Sequence, residues 1–303
     1  MVGQQNHEPR THGQQPTAYN STGGSTILDH IHIDEIILSA LREDMPLGDI
    51  TTDNLVNRAS KSRAVLIAKE EGIIAGAGMA ERTFKLLDPS VDYVASRKDG
   101  ERVKKGDIIA EIEGSTSAML KAERTALNFL QRLSGIATRT SQFCEKVGDL
   151  PVKITDTRKT TPGLRLLEKY AVKAGGGRNH RYSLSDGVLI KDNHIKAAGG
   201  IKNAVEMVRG RIPHTIKIEV ETETLEQVSE ALEAGADIIM LDNMSCGAMK
   251  EAVRLIAHRA VVEASGNVRL ENVREIAETG VDIISVGQIT HSAGSLDISM
   301  RFK

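Results

Sequence analysis

Apolar and polar positions follow two different rhythms along the chain. From Ile27 to about Leu133 the pattern is mixed. Ile33, Ile36, Ile37, Ala40 and Leu41 recur at helical spacing, and Met45-Pro46-Leu47-Gly48 ends that helix. Short apolar runs at Ala64–Ala68 and Ile73–Ala75 predict strands. Met79–Leu87 predicts a helix, and the stretch from Val103 to Ile112 a turn and a strand. Ser117 to Leu133 predicts a polar-faced helix carrying Glu123, Arg124, Asn128 and Arg132. Strands and helices in this arrangement suit an α+β layer domain.

After Pro151 a single unit repeats. Short β-rich runs occur at Val152–Thr155, Gly187–Ile190, Thr215–Val220, Asp237–Leu241, Ala260–Glu263 and Asp282–Val286. Helical patterns fill four of the gaps, at Ile201–Val208, Leu225–Leu232, Met249–Ala257 and Val273–Ala277. Leu225, Val228 and Leu232 share one helical face, and Gly235 stops that helix. Strand–helix alternation predicts an α/β fold with parallel strands and helices outside, either a barrel or a doubly wound sheet. A dinucleotide-binding sheet needs a Gly-rich turn after its first strand. That position reads Asp156-Thr157-Arg158-Lys159, which favours the barrel.

Composition narrows the function classes. Lys plus Arg (39) nearly balances Asp plus Glu (41), so net charge indicates neither nucleic acid nor a membrane surface. Aromatic residues are scarce and Trp is absent, which disfavours base-stacking platforms. The only cysteines, Cys144 and Cys246, lack metal-ligand spacing and make no disulfide framework. No apolar run reaches the roughly 18 residues a membrane-spanning helix needs. The first 26 residues, rich in Gln, Gly, Ser, Thr and His, read as a disordered tail without the apolar stretch of a secretion signal. The cytoplasm is the expected compartment.

Candidate chemistry lies where the predicted strands end. The endings include Asp156-Thr157-Arg158-Lys159, Lys191-Asp192-Asn193-His194, Glu219-Val220-Glu221, Asp242-Asn243, Ser265-Gly266 and Ser285 through Gly287. In an α/β barrel the carboxyl ends of the strands form the active-site face. Between Lys153 and Lys196 there are ten Lys or Arg against four Asp or Glu. Between Glu219 and Asp242 there are eight acids and no Lys or Arg. Converging strands would therefore set a cationic wall against an acidic one. The first suits a multiply anionic substrate, the second Mg²⁺. Glycines at the last two strand ends suit a phosphate held by backbone N–H groups.

The densest segment runs Asp156-Thr157-Arg158-Lys159-Thr160-Thr161-Pro162-Gly163-Leu164-Arg165, then Lys169-Tyr170-Ala171-Val172, Gly175-Gly176-Gly177 and Asn179-His180-Arg181. It closes on Ser185-Asp186 and Leu189-Ile190-Lys191-Asp192-Asn193-His194. With Glu43-Asp44, Gly48-Asp49-Ile50-Thr51 and Glu123 through Asn128, it closely resembles the quinolinate phosphoribosyltransferase family. Glu219-Val220-Glu221, Leu241-Asp242-Asn243, Glu263-Ala264-Ser265-Gly266 and Ser285-Val286-Gly287 extend the likeness, which spans nearly everything from Ile33 to Lys303.

That resemblance implies a sandwich-like α+β domain (27–135) completed by the C-terminal residues 289–303, and an open α/β barrel (136–288). It implies phosphoribosyl transfer from phosphoribosyl pyrophosphate to quinolinate with decarboxylation, a step of de novo NAD biosynthesis, with Mg²⁺ as cofactor. A homodimer with a shared active site is the implied assembly, with a hexamer as the larger alternative. By the same resemblance Arg158, Lys159, His180 and Arg181 hold the quinolinate carboxylates, with Arg124 entering from the second chain. Lys159, Lys191, Glu221 and Asp242 line the catalytic, pyrophosphate and metal region, while Ser265, Gly266 and Gly287 receive the 5′-phosphate. Glu219 shares a strand face with Glu221 and is the alternative to it. His194 and His291 are expected to support site residues instead of touching substrate. The competing readings are nicotinate phosphoribosyltransferase or another transferase on this scaffold, and a non-catalytic sugar-phosphate sensor.

Overall fold

The chain is described over residues 31–303 by a computed structural model; the tail expected at 1–26 lies outside the described residues. Helix α1 (Ile31–Asp44) buries Ile33, Ile37 and Leu41 on one face. Asp49 then caps α2 (Ile50–Leu55) by accepting the Thr51 and Thr52 N–H groups at 3.0 Å. Next come β1 (Lys61–Ala68), β2 (Gly72–Ile73), α3 (Ala77–Leu87), β3 (Asp92–Ala95), β4 (Arg102–Val103) and β5 (Ile108–Ser115). β1 pairs antiparallel with β5, and β5 with β3. In β5, Ile109 stands at an irregularity in the register, and it and Ile112 are buried in one cluster with Phe84 of α3 and Leu127 of the following helix.

That helix, α4, spans Thr116–Lys146, well beyond the Leu133 end expected from the pattern. Gly135 is mid-helix. A Cβ there would lie 1.8 Å from the Gly294 carbonyl oxygen, so glycine permits a close backbone approach instead of ending the helix. The expected polar face is also narrow: Ala118, Ala122, Leu130, Ile136 and Phe143 are among many buried positions. α4 crosses the anticipated 135/136 boundary and contributes to both hydrophobic cores.

The second half is built from β6 (Lys153–Thr155), α5 (Arg165–Ala174), β7 (Val188–Ile190), α6 (Asp192–Ala198), α7 (Ile201–Arg209), β8 (Ile218–Thr222), α8 (Leu225–Glu233) and β9 (Ile238–Asp242). It continues through α9 (Cys246–Ile256), β10 (Val261–Ser265), α10 (Val273–Ala277), β11 (Ile283–Ser285) and α11 (Gln288–His291). The strands form one parallel sheet in the order β6-β11-β10-β9-β8-β7. β6 and β7 are its two edges and do not pair with each other, so the α/β barrel is open between them. The last strand, β12 (Ile298–Phe302), leaves this half and pairs antiparallel with β1.

Four helices, α2, α5, α6 and α11, are absent from the expected set, and for two of them the reason is plain. α6 buries no residue, so it carries no periodic signal. α5 buries Glu168 and Lys169 beside Leu167, Ala171 and Val172, which breaks the usual separation of charge from core.

Candidate active site

Alternation along the parallel strands decides which side chains face the barrel interior. On β8, Val220 turns to the hydrophobic core while Glu219 and Glu221 share the opposite face. Glu221 stands at the carboxyl end and lines a cavity of about 570 Å³. Glu219 sits one step lower and is buried. Nine of the eleven expected site residues line this cavity: Arg158, Lys159, His180, Arg181, Lys191, Glu221, Asp242, Ser265 and Gly266. Arg158 and Lys159 thus share one space with Glu221 and Asp242.

The cationic wall comes from two segments. Arg158 and Lys159 follow β6, where the Lys159 N–H donates to Thr157 Oγ1 at 3.0 Å and the Lys159 carbonyl accepts from Thr290 Oγ1 at 2.8 Å. His180 and Arg181 lie on the connection between α5 and β7. Arg181 donates from Nη1 to the Gly187 carbonyl at 2.9 Å, but its buried Nε has no protein partner. Burial and then the nearby Arg158 charge lower the Arg181 pKa. Among the described residues, Arg158, Lys159 and Arg181 make no ion pair. Three cations collected without a carboxylate partner form a site for an anion.

Across the cavity, Lys191 Nζ donates to Glu221 Oε2 at 2.7 Å. The His194 ring supports this lysine: its Nδ1 accepts the Lys191 N–H at 3.0 Å. On β9, Asp242 lies two residues past the register partner of Glu221, Met240, so the two carboxylates are diagonal neighbours on adjacent strands. Asp242 Oδ2 accepts from Asn243 Nδ2 at 2.8 Å. Glu221 and Asp242 each keep an oxygen with no protein hydrogen bond, a donor set suited to a hard cation that retains water.

Gly266 has φ +89°, and a Cβ there would meet Asn243 Oδ1 at 2.2 Å. Asn267 Nδ2 donates to the same oxygen at 2.9 Å, so the turn after β10 is held against the turn after β9. Gly287 is not part of the cavity lining. A Cβ on it would fall 3.2 Å from Lys159 Cδ and 3.1 Å from the His291 ring, so its small size leaves room for the Lys159 side chain.

With this geometry, residues 49–134 match the family described as "Quinolinate phosphoribosyl transferase, N-terminal domain", and residues 136–301 its C-terminal domain. The chain belongs to the quinolinate phosphoribosyltransferase family. A probable nicotinate-nucleotide pyrophosphorylase [carboxylating] of Bacillus subtilis is 46% identical over 273 residues, covering 90% of this chain and 94% of that protein. The crystal structure of NadC from Streptococcus pyogenes has a TM-score of 0.87 at 45% identity, covering 89% of this chain and 96% of that one. The nicotinate-nucleotide pyrophosphorylase of Francisella tularensis gives the same TM-score at 38% identity, covering 90% and 96%.

In this member of the quinolinate phosphoribosyltransferase family, Arg124 is exposed on α4 and is not among the residues lining the chain's own cavity. It stands one residue from Glu123, whose carboxyl is pushed up by partial burial and pulled down less strongly by the Arg124 charge.

On the cavity floor His180 and Glu263 form a cluster with Glu219, which is not part of the lining. His180 Nε2 is 3.1 Å from Glu219 Oε2 and 3.5 Å from Glu263 Oε2, and its Nδ1 accepts the Arg181 N–H at 2.9 Å. Both ring nitrogens are thus engaged inside the protein, so in this arrangement His180 does not offer an N–H to a carboxylate above it. Burial alone would lower the His180 pKa, but hydrogen bonds to Glu219 and then Glu263 outweigh it and push it up to about 10. Geometry sets a limit on that rise. An imidazolium would turn a second N–H against the Arg181 amide, whereas the Nε2–H tautomer satisfies each contact. Burial, aided by the Glu263 charge, raises the Glu219 pKa against the pull of the His180 hydrogen bond. The three groups lie close enough to hold a metal ion. A nitrogen ligand would need Nε2 unprotonated and hence a proton on Nδ1, which the Arg181 N–H opposes. Period-2 alternation singles out Glu219 from Glu221, and the same step back from Ser265 reaches Glu263.

Proposed function

We propose that this chain transfers the phosphoribosyl group of phosphoribosyl pyrophosphate to the ring nitrogen of quinolinate, giving nicotinate mononucleotide, pyrophosphate and carbon dioxide. One observation carries the reading: three unpaired cations, Arg158, Lys159 and Arg181, face Glu221 and Asp242 across a single cavity. Family membership and the names of the relatives at 45–46% identity agree with it.

The pyridine nitrogen attacks C1 of the ribose as the bond from C1 to the pyrophosphate oxygen breaks. Positive charge grows on the sugar and negative charge on the departing group. Lys191 and Lys159 stabilise the pyrophosphate, and the carboxylates of the opposite wall stabilise the sugar. Glu221 and Asp242 are the residues that would hold Mg²⁺, which when bound supplies further positive charge beside the phosphates. The carboxylate next to the quaternised nitrogen then leaves as carbon dioxide. The ring takes up its electron pair, and a proton replaces it on carbon. Arg158, Lys159 and Arg181 orient the two carboxylates throughout, and Gly266 with Ser265 receives the 5′-phosphate. No protein nucleophile is required.

The exposed position of Arg124 supports donation into a second subunit's cavity, with a homodimer as the catalytic unit. No helix among the described residues is long and apolar enough to cross a membrane, and Cys144 and Cys246 are both free, which supports a cytoplasmic setting.

The test uses purified protein with Mg²⁺ and phosphoribosyl pyrophosphate, following pyrophosphate and carbon dioxide together. Quinolinate should be consumed with both products released in equal amounts, and nicotinate left untouched. Equal turnover of nicotinate would overturn the substrate assignment. Tight binding of phosphoribosyl pyrophosphate without its cleavage would favour the sensor reading.

A further inference from the structure

Two consecutive charges, Glu168 and Lys169, are buried on α5, and neither lines the cavity. Each reaches a different half of the cationic wall. Glu168 Oε1 accepts from Thr161 Oγ1 at 2.7 Å, and Oε2 accepts the Thr161 N–H at 3.2 Å. Its charge is matched by Arg132 of α4, whose Nη2 lies 2.8 Å from Oε1. Arg132 also donates to the carbonyls of Thr290 and Ala293, both at 2.7 Å. Since Thr290 holds the Lys159 carbonyl, the Lys159–Thr161 backbone is gripped from two sides.

Lys169 performs the matching task for His180 and Arg181. Its Nζ donates to Asp156 Oδ1 at 2.5 Å and to the His180 carbonyl at 3.1 Å. Asp156 Oδ1 accepts the His180 N–H at 2.9 Å, and Oδ2 accepts from Asn179 Nδ2 at 2.6 Å. The Asn179 amide also donates to the Lys169 carbonyl at 2.9 Å. The N–H and the carbonyl of His180 are therefore both fixed by one buried ion pair.

We propose that Glu168 and Lys169 are positioning residues: together they set the spacing between the Arg158–Lys159 and His180–Arg181 halves of the wall, and so select a pyridine bearing two adjacent carboxylates. This rests on the proposed function. A ring with two neighbouring carboxylates needs cations at two fixed places, whereas a ring with one carboxylate tolerates a looser arrangement. A short rigid helix with adjacent side chains reaching in two directions fixes that interval more tightly than either loop alone.

Stability alone does not account for burying the Lys169–Asp156 ion pair. Burial raises the Asp156 pKa and lowers that of Lys169, the directions expected when desolvation exceeds the attraction between partners. Apolar residues replacing both partners of each ion pair would pack α5 as well, as Leu167, Ala171 and Val172 do. The side-chain hydrogen bonds of Glu168 to Thr161, and of Lys169 to Asp156 and the His180 carbonyl, are what such replacements would lose.

The experiment compares wild type with Glu168→Gln, Lys169→Met and Thr161→Val in steady-state kinetics, varying each substrate in turn. Thr161→Val removes one hydrogen bond to Glu168 and leaves no buried charge unpaired, so it keeps the test decisive if the charge variants do not fold. The quinolinate KM should rise about tenfold or more in the charge variants, and about threefold in Thr161→Val. The KM for phosphoribosyl pyrophosphate should rise clearly less in each variant, because Lys159 is its one proposed contact on this segment, while Lys191, Glu221, Asp242, Ser265 and Gly266 come from other strands. Selectivity for quinolinate over nicotinate should fall in parallel. An unchanged quinolinate KM in Thr161→Val, or equal rises for both substrates, would overturn the positioning role. Failure of the wild type to consume quinolinate would instead remove the functional reading beneath it.

Discussion

Lys191 and Glu221 meet at 2.7 Å across the ends of neighbouring parallel strands, inside the cavity mouth. The lysine side chain is 46% exposed, so the contact adds little to stability. Its consequence is chemical: an ammonium group is held beside a carboxylate at the place where pyrophosphate and a cationic sugar would separate.

Replacing Lys191 with alanine should therefore cost activity and spare the fold. Loss of one preorganised charge at a developing anion lowers kcat by about 10²–10³-fold. Thermal denaturation should move little, because the partner left behind, Glu221, lines the open cavity within reach of solvent. A large drop in Tm with kcat preserved would contradict this assignment.

Gly266 gives a different kind of prediction. Alanine there must adopt φ +89° and displace the Asn243 amide. Left-handed strain costs about 1–2 kcal/mol per residue, which lowers Tm by several degrees in a domain of this size. The Asn243–Asn267 contact would also be broken, loosening the turn proposed for the 5′-phosphate. KM for phosphoribosyl pyrophosphate should rise about tenfold, and that for quinolinate much less. Kinetics with each substrate varied separately check the difference.

The strand-end chemistry was readable because parallel strands must deposit their last residues on one rim. Arg158, Lys191, Glu221 and Asp242 all follow short apolar runs, and chain order alone brings them together. The continuation of α4 past Leu133 was not legible for a physical reason: Gly135 serves the close approach of Gly294, from a segment more than 150 residues away, which no local pattern contains. Glu168 and Lys169 were equally hidden. Charges on a helix are ordinarily solvated, and only the opposing Arg132 and Asp156 make their burial tolerable. His180 was found as a site residue, but its bonding to Glu219 and Glu263 depends on the barrel register and could not be read from its neighbours in the chain.

Acid should release the connection that follows Arg181. Asp186 accepts the Tyr182 and Ser183 N–H groups at 2.7 and 2.9 Å and the Ser183 hydroxyl at 2.9 Å. The Ser183 hydrogen bonds hold its carboxyl below the ordinary value of 3.8. A depressed carboxylate pKa contributes stability that is present above 3.8 and lost as pH falls through the folded-state value. Hydrogen exchange at the Tyr182 and Ser183 amides should accelerate in that acid window, relative to amides in β9. Asp186→Asn should show faster exchange already at neutral pH and less further change on acidification. Identical profiles for wild type and variant would show that Asp186 does not order this segment.

Arg124 allows the shared-site proposal to be tested without a structure of the assembly. It lies on α4, exposed and outside its own chain's cavity lining, whereas Lys191 stands within that cavity. If Arg124 serves a partner, Arg124→Ala and Lys191→Ala each inactivate a homodimer by damaging both sites. A mixed dimer differs. One of its cavities combines an intact Lys191 with Arg124 from the neighbouring chain, while the other lacks both groups. Co-incubation under conditions that exchange subunits should therefore restore activity to about one quarter of wild type: random pairing makes half the dimers mixed, each with one good site. Exchange is followed independently with two distinguishable tags. Proven exchange without recovered turnover would place Arg124 outside the partner's site.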